Sequence, residues 1–217
     1  MKLVLPLAAF LAALSPALSA SAACPAPPAP DVRVELRDPE PRIVRTDGLN
    51  QINATAKTHG LWQKGSLVLG LTQGEVESSM NAHFQILAGR GGTCLNVTRV
   101  RAVFGNQRLD VKLPREYAPG SCQYDTVLSH EMAHVRVNRE GVRKYAAILE
   151  RELREAATRI SPVHGNDQKD AEARAHEALK TVMESVGRRF ESETHAQHET
   201  IDRPGGRYDA QGACRSW

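Results

Sequence analysis

Residues 126–160 place apolar or small side chains at Leu128, Val135, Val142, Leu149, Leu153, Ala156 and Ile160, a recurrence close to 3.6 that belongs to one long helix. Residues 167–201 repeat the pattern with Ala171, Ala175, Leu179, Val182, Val186 and Phe190. Ser161-Pro162 ends the first run, because proline cannot continue a helix, and Gly165-Asn166-Asp167 turns the chain into the second. Two amphipathic helices joined by so short a link fold back on each other, and each must bury its stripe. The second half is therefore expected to be a helical hairpin lying on an apolar layer, with Asp125 as the N-cap of its first helix.

The first half offers that layer. Residues 32–36 alternate, 66–71 are apolar, Ala82, Phe84 and Ile86 alternate with His83 and Gln85, and 95–104 are rich in valine, all of which reads as β-structure. Gly89-Arg90-Gly91-Gly92 reads as a loop, and Gly105-Asn106 as a tight turn joining 95–104 to 108–113 in a hairpin. A short helix over 49–58 is the exception. The expected fold class is α+β: an N-terminal antiparallel β-sheet followed by a long two-helix hairpin.

Residues 1–22 read as a signal peptide, with a lysine, an apolar run over 3–14 and small residues around Ala20-Ser21-Ala22. That apolar run is short for a membrane span, and no later segment approaches twenty apolar residues, so no stable membrane insertion is expected after cleavage near Ala22. Residues 23–30, including Pro25-Ala26-Pro27-Pro28-Ala29-Pro30, form a stiff spacer, and 31–217 make a single domain. The location implied is periplasmic or secreted; lipid anchoring at Cys24 is the other option, although Ser21-Ala22-Ala23 lacks the leucine usual before a lipidated cysteine.

Export favours disulfides for the four cysteines. A hairpin about Gly105-Asn106 would bring Cys94 back towards Cys122, so Cys94–Cys122 and Cys24–Cys214 are the expected pairs. A net charge of +3, with basic residues spread among acids and aromatics at 5%, gives no support to a nucleic-acid partner. Asn53-Ala54-Thr55 and Asn96-Val97-Thr98 are glycosylation sequons by letter. Nothing in the sequence sets the oligomeric state.

Chemistry enters on the first long helix, at His130-Glu131-Met132-Ala133-His134. Histidines four apart on a helix project side by side and can grip one cation, with the glutamate beside it. This is the H-E-x-x-H pattern of zincins, in which two neutral imidazoles hold Zn²⁺ and the carboxylate takes a proton from an activated water. The competing reading is a pair of histidines that only pack or cap. Apolar neighbours at Val127, Leu128, Met132, Ala133 and Val135 favour the metal site, which needs a water-poor setting.

A catalytic zinc usually has three protein ligands and one open position. The longer metzincin pattern fails, since Val137 stands at its glycine and Glu140 at its third histidine. Glu152 and Glu155 lie about 27 Å or more along an unbroken helix from His134. Antiparallel pairing of the two helices instead levels His134 with position 194 and His130 with position 198, which brings His195 and His198 to the right height. His198 lies on the flank of the apolar stripe and His195 almost opposite it, so His198 is the better candidate. Glu193 or Asp202 serve instead if the helix unwinds before Arg203-Pro204. Tyr124, Tyr145 and Tyr208 are open choices for stabilising an oxyanion.

These features together resemble a family of secreted bacterial zinc-dependent proteases catalogued mainly as a domain of unknown function. The resemblance rests on a β-rich first half, on Val111-Lys112-Leu113-Pro114 leading to Leu128-Ser129-His130-Glu131-Met132-Ala133-His134, on the helical hairpin, and on a C-terminal segment closing in tryptophan. That segment is similar to Y-D-x-x-T-x-H-G followed by a final W; Ile201-Asp202 and Trp217 fit its ends, while Arg207 stands where the family has histidine. The resemblance implies a zincin-like fold. The expectation is a peptidase holding one Zn²⁺ per chain through His130, His134 and His198, with Glu131 as general base and a peptide or protein as substrate. Two other uses of such a scaffold are a non-catalytic envelope binding protein and a zinc amidase acting on cell-wall material.

Overall fold

The computed structural model describes residues 24, 27–61, 67–89, 92–207, 209–210, 212–215 and 217, so the signal peptide expected over 1–22 lies outside the described residues. The chain runs β1 (Asp31–Arg37), β2 (Arg42–Val44), α1 (Leu49–Thr58), β3 (Leu71–Gly89), β4 (Gly92–Lys112), α2 (Cys122–Ile160), β5 (Val163–Gly165) and α3 (Gln168–Ile201). No described helix is long and apolar enough to cross a membrane.

Strand β4 is the axis of the sheet. Along one edge β3 pairs antiparallel with it for its whole length, from Leu71 opposite Lys112 to Gly89 opposite Gly92. Along the other edge three short strands follow one another: β5 opposite Thr93, Cys94 and Leu95, β1 opposite 99–105, and β2 opposite 110–112. Both β1 and β2 run parallel to β4. The sheet is therefore mixed, not the antiparallel one expected, because alternation in a sequence fixes which face a side chain takes and says nothing of strand direction.

The chain reverses between Gly89 and Gly92, not at Gly105-Asn106. Gly105 and Asn106 lie inside β4, where Asn106 pairs with Val76 and Arg108 with Glu75, leaving Gln107 as the extra residue of a bulge. Glycine is needed at 105 for a different reason: its φ is +140, and an added Cβ would run into the carbonyl of Arg37 at the end of β1.

Both long helices lie on one face of this sheet. Val32, Ala82, Val100, Ala102 and Phe104 from the strands pack with Val142, Leu149 and Leu153 of α2 and Leu179, Val186 and Phe190 of α3. Each of the larger side chains contributes roughly 1.5–3 kcal/mol through burial. Helix α2 also bonds the outer edge of β1 and the link that follows it: Glu150 accepts from Val34 N at 3.0 Å, Arg154 donates to Val32 O at 2.9 Å, and Arg139 and Arg143 grip Asp38 between β1 and β2. The helix starts four residues earlier than expected. Its N-cap is Ser121, whose hydroxyl accepts from Tyr124 N at 3.2 Å, and Asp125 sits in the first turn, where a carboxylate favours the positive end of the helix.

The disulfides are Cys24–Cys94 and Cys122–Cys214, not the expected pairs. Because β4 is one continuous strand, Cys94 stands near one end of a run on the order of 50 Å long before the chain turns towards Cys122. Both sequons are occupied by structure: the Asn53 amide donates to Val68 O at 2.8 Å and accepts from Val68 N at 3.0 Å, and Asn96 is 2% exposed.

Candidate metal centre

Helix α2 carries His130 and His134 one turn apart, and their Nε2 atoms stand 3.1 Å from each other. Asp202 completes a triangle, its Oδ1 lying 3.2 Å from His130 Nε2 and 3.0 Å from His134 Nε2. A tetrahedral cation with bonds of about 2.0–2.1 Å needs its donor atoms about 3.3 Å apart, so these three atoms fit a zinc-sized ion with little movement. The histidine side chains are 18% and 12% exposed and Asp202 is 59% exposed, which leaves the open side of the triangle towards solvent.

Asp202 arrives because α3 stops there. It is the C-cap residue, with its N–H donating to His198 O at 3.0 Å, and Arg203-Pro204 follow. Burial raises the Asp202 pKa, but hydrogen bonds from His130 and His134 outweigh it and hold the carboxyl well below its ordinary range.

His198 stands elsewhere than expected. Its Nδ1 lies 2.9 Å from His134 Nδ1, on the other side of the ring from the nitrogen that faces His130 and Asp202. It is not among the three converging atoms. Burial first, and the neighbouring His134 second, push His198 down to about 4, so it is a neutral ring at ordinary pH and can fix the tautomer of His134 by exchanging one hydrogen bond with it. The other candidates are engaged away from the triangle: His195 pairs with Glu199 at 3.3 Å, and Glu193 accepts from Lys144 and from the Tyr145 hydroxyl. Tyr145 is thereby placed in the core, Tyr124 lies under the Arg45 guanidinium, and Tyr208 lies outside the described residues.

Glu131 is buried, at 4% exposed, and the start of β3 shapes its setting. The Thr72 hydroxyl donates to Glu131 Oε2 at 2.8 Å. A Cβ at Gly70 would come within 2.7 Å of Glu131 Oε1 and 2.6 Å of Val127 Cγ1, so only glycine leaves room for this carboxylate. Gly74, further along the same strand, likewise makes space for the side chains of Asn106 and Asn138. Burial is the main reason that the Glu131 pKa is raised; His134, His130 and Thr72 oppose the shift. Thr72 and Gly70 are not among the expected site residues, and the sequence signal for them is faint: 70, 72 and 74 are alternate positions that are all small.

The C-terminal segment returns to the helix that bears the motif. Cys214 is bonded to Cys122 in the first turn of α2, and the Trp217 ring meets Tyr117 edge-on at 6.1 Å. The segment that follows Asp202 is thus tied back within about two turns of His130. No family model, curated protein or solved structure matches this chain, and its geometry alone bears on what it does.

Proposed function

We propose that the chain is an exported zinc-dependent metallopeptidase holding one Zn²⁺ through His130, His134 and Asp202, with His198 orienting His134 and Glu131 acting as general base. The observation that carries this reading is the convergence of three donor atoms beside a buried carboxylate. When bound, Zn²⁺ acidifies a water and polarises the carbonyl to be attacked. Glu131 then has the remaining task, accepting the proton and passing it to the leaving amine, and the raised pKa that burial gives it suits a group that must do both. Thr72 and the space at Gly70 hold that carboxylate in one place.

The two edges of the sheet differ in a way that suits a peptide substrate. The backbone of β1 is bonded by side chains of α2, whereas no strand pairs with the outer edge of β3 among the described residues. An extended peptide adding to β3 at its N-terminal end, around Thr72, would lie beside Glu131. Export is supported by two disulfides with no free cysteine among the described residues, a pattern of oxidising compartments.

The test is Glu131→Gln, which keeps shape and zinc but cannot accept a proton. Hydrolysis of an unstructured protein should fall by ~10²–10⁴ while metal content stays at one ion per chain. A folded, zinc-loaded parent with no chelator-sensitive peptide turnover would overturn the peptidase reading in favour of a binding scaffold or an amidase of other material.

A further inference from the structure

A second group of donor atoms lies on the far side of the sheet from the helices. Leu95 and Val163 are cross-strand partners whose side chains enter the core, so the neighbouring pair, Cys94 opposite His164, points to the outer face. Cross-strand partners stand about 4.5–5.5 Å apart at Cβ, which fixes a sulfur and an imidazole side by side without help from a loop. Cys24 comes over them from the segment that leads into β1, and its Sγ lies 3.6 Å from His164 Nδ1 and 3.8 Å from Nε2. The Cys24 sulfur, the Cys94 sulfur and a His164 nitrogen all fall within 4.8 Å of one another.

We infer that Cys24, Cys94 and His164 form a redox-gated metal site: closed while the two sulfurs are bonded, and a bis-thiolate, mono-imidazole site for a thiophilic divalent cation such as Zn²⁺ once they are reduced. Reduction by a dithiol supplies the two electrons and two protons; the dithiol closes its own disulfide and leaves two thiols on the protein. Binding of the cation then displaces those two protons, and the two thiolates cancel its charge. A neutral imidazole is the third donor, and the outer face leaves the fourth position to water. Thiolates select such cations over magnesium or calcium, which prefer oxygen. Both cysteines are partly exposed and His164 is exposed, so reductant and metal can reach them. The first centre offers only nitrogen and oxygen donors, which makes the two sites separable by spectroscopy.

The probe is Co²⁺, added to the full mature chain after anaerobic reduction and removal of the dithiol. The reduced protein should show the near-ultraviolet sulfur-to-cobalt charge-transfer band, and the oxidised protein should not. Cys24→Ser should abolish the band, His164→Ala should weaken cobalt binding at this site by about tenfold or more, and Cys122→Ser with Cys214→Ser should keep it. Cys94→Ser repeats the test from within the sheet, and circular dichroism reports whether each variant is folded. No sulfur band in a folded, reduced parent would overturn the inference. So would a band that survives Cys24→Ser and Cys94→Ser, or one indifferent to His164→Ala.

Discussion

Replacing His198 with alanine removes the nitrogen that lies 2.9 Å from His134 Nδ1 and leaves the donor atoms of His130, His134 and Asp202 in place. A group that orients a ligating histidine through its other nitrogen is worth about 10–100-fold in metal affinity. At a fixed excess of free zinc, that ratio is about 1.4–2.7 kcal/mol of lost ligand-linked stabilisation. For a domain of ~190 residues each kcal/mol moves the melting temperature by about 2–4 °C, so the gap between zinc-loaded and zinc-free melts should narrow by roughly 3–11 °C. Thermal melts of both forms of each variant give that gap directly, and the metal-free melt removes any general effect of the substitution on the fold. Asp202→Ala should close most of the gap, because it deletes the atom that touches both histidines. If His198→Ala abolished zinc binding while Asp202→Ala kept the parent's gap, His198 would be the ligand and the roles argued from the distances would be reversed. An unchanged gap in both variants would refute the centre itself.

Two further outcomes follow from the surroundings of the centre. Thr72→Val deletes the hydroxyl that donates to a buried carboxylate, at a cost of about 1–3 kcal/mol, and should lower peptide turnover while Thr72→Ser retains most of it; equal behaviour of the two variants would show that the hydroxyl does not position Glu131. Replacing Cys122 and Cys214 together by serine opens a link across 92 residues and should lower stability by about 2–5 kcal/mol in a urea titration, with a fall in zinc affinity as the segment after Asp202 loosens; an unmoved denaturation midpoint would contradict this.

How much of the fold is legible in the sequence depends on whether the physical rule involved is local. Helical periodicity is local, and it locates α2 and α3 to within a few residues at each end; the N-cap of α3 is Asp167, from the expected turn, and its carboxylate accepts from Asp170 N at 2.8 Å. The short helix over 49–58 is α1, which buries Ile52 and Ala56. Strand direction and the position of the hairpin are not local. Gly105-Asn106 carries the letters of a tight turn, yet the glycine answers the close approach of Arg37, a contact 68 positions away that no window of sequence contains. A hairpin placed at Gly105 also mispairs both disulfides, because it brings Cys94 back to Cys122. One error in the sheet produces the other.

The centre shows the same division. His130, Glu131 and His134 are fixed relative to one another by a single helix, so their geometry follows from spacing alone. The third donor depends on how far one long helix is displaced along the other, and there local spacing falls short. Levelling the hairpin at its link sets His134 against position 194, whereas His134 meets His198 and Asp202. The physical reason lies at the other end of the hairpin. The connection builds β5 onto β4, and the first two turns of α3 cover the sheet there, with Ala171 and Ala175 packed on Leu95 and Val163. The later contacts are displaced from the register of a tight link by about one to four turns: His134 meets His198 in place of 194, Lys144 and Tyr145 meet Glu193 in place of 184 and 183, and Glu152 meets Arg189 in place of 176. A displacement of one turn is enough to exchange a histidine for an aspartate at the open corner of the triangle. The packing of two alanines at one end of the hairpin thereby sets which residue reaches the candidate metal position at the other.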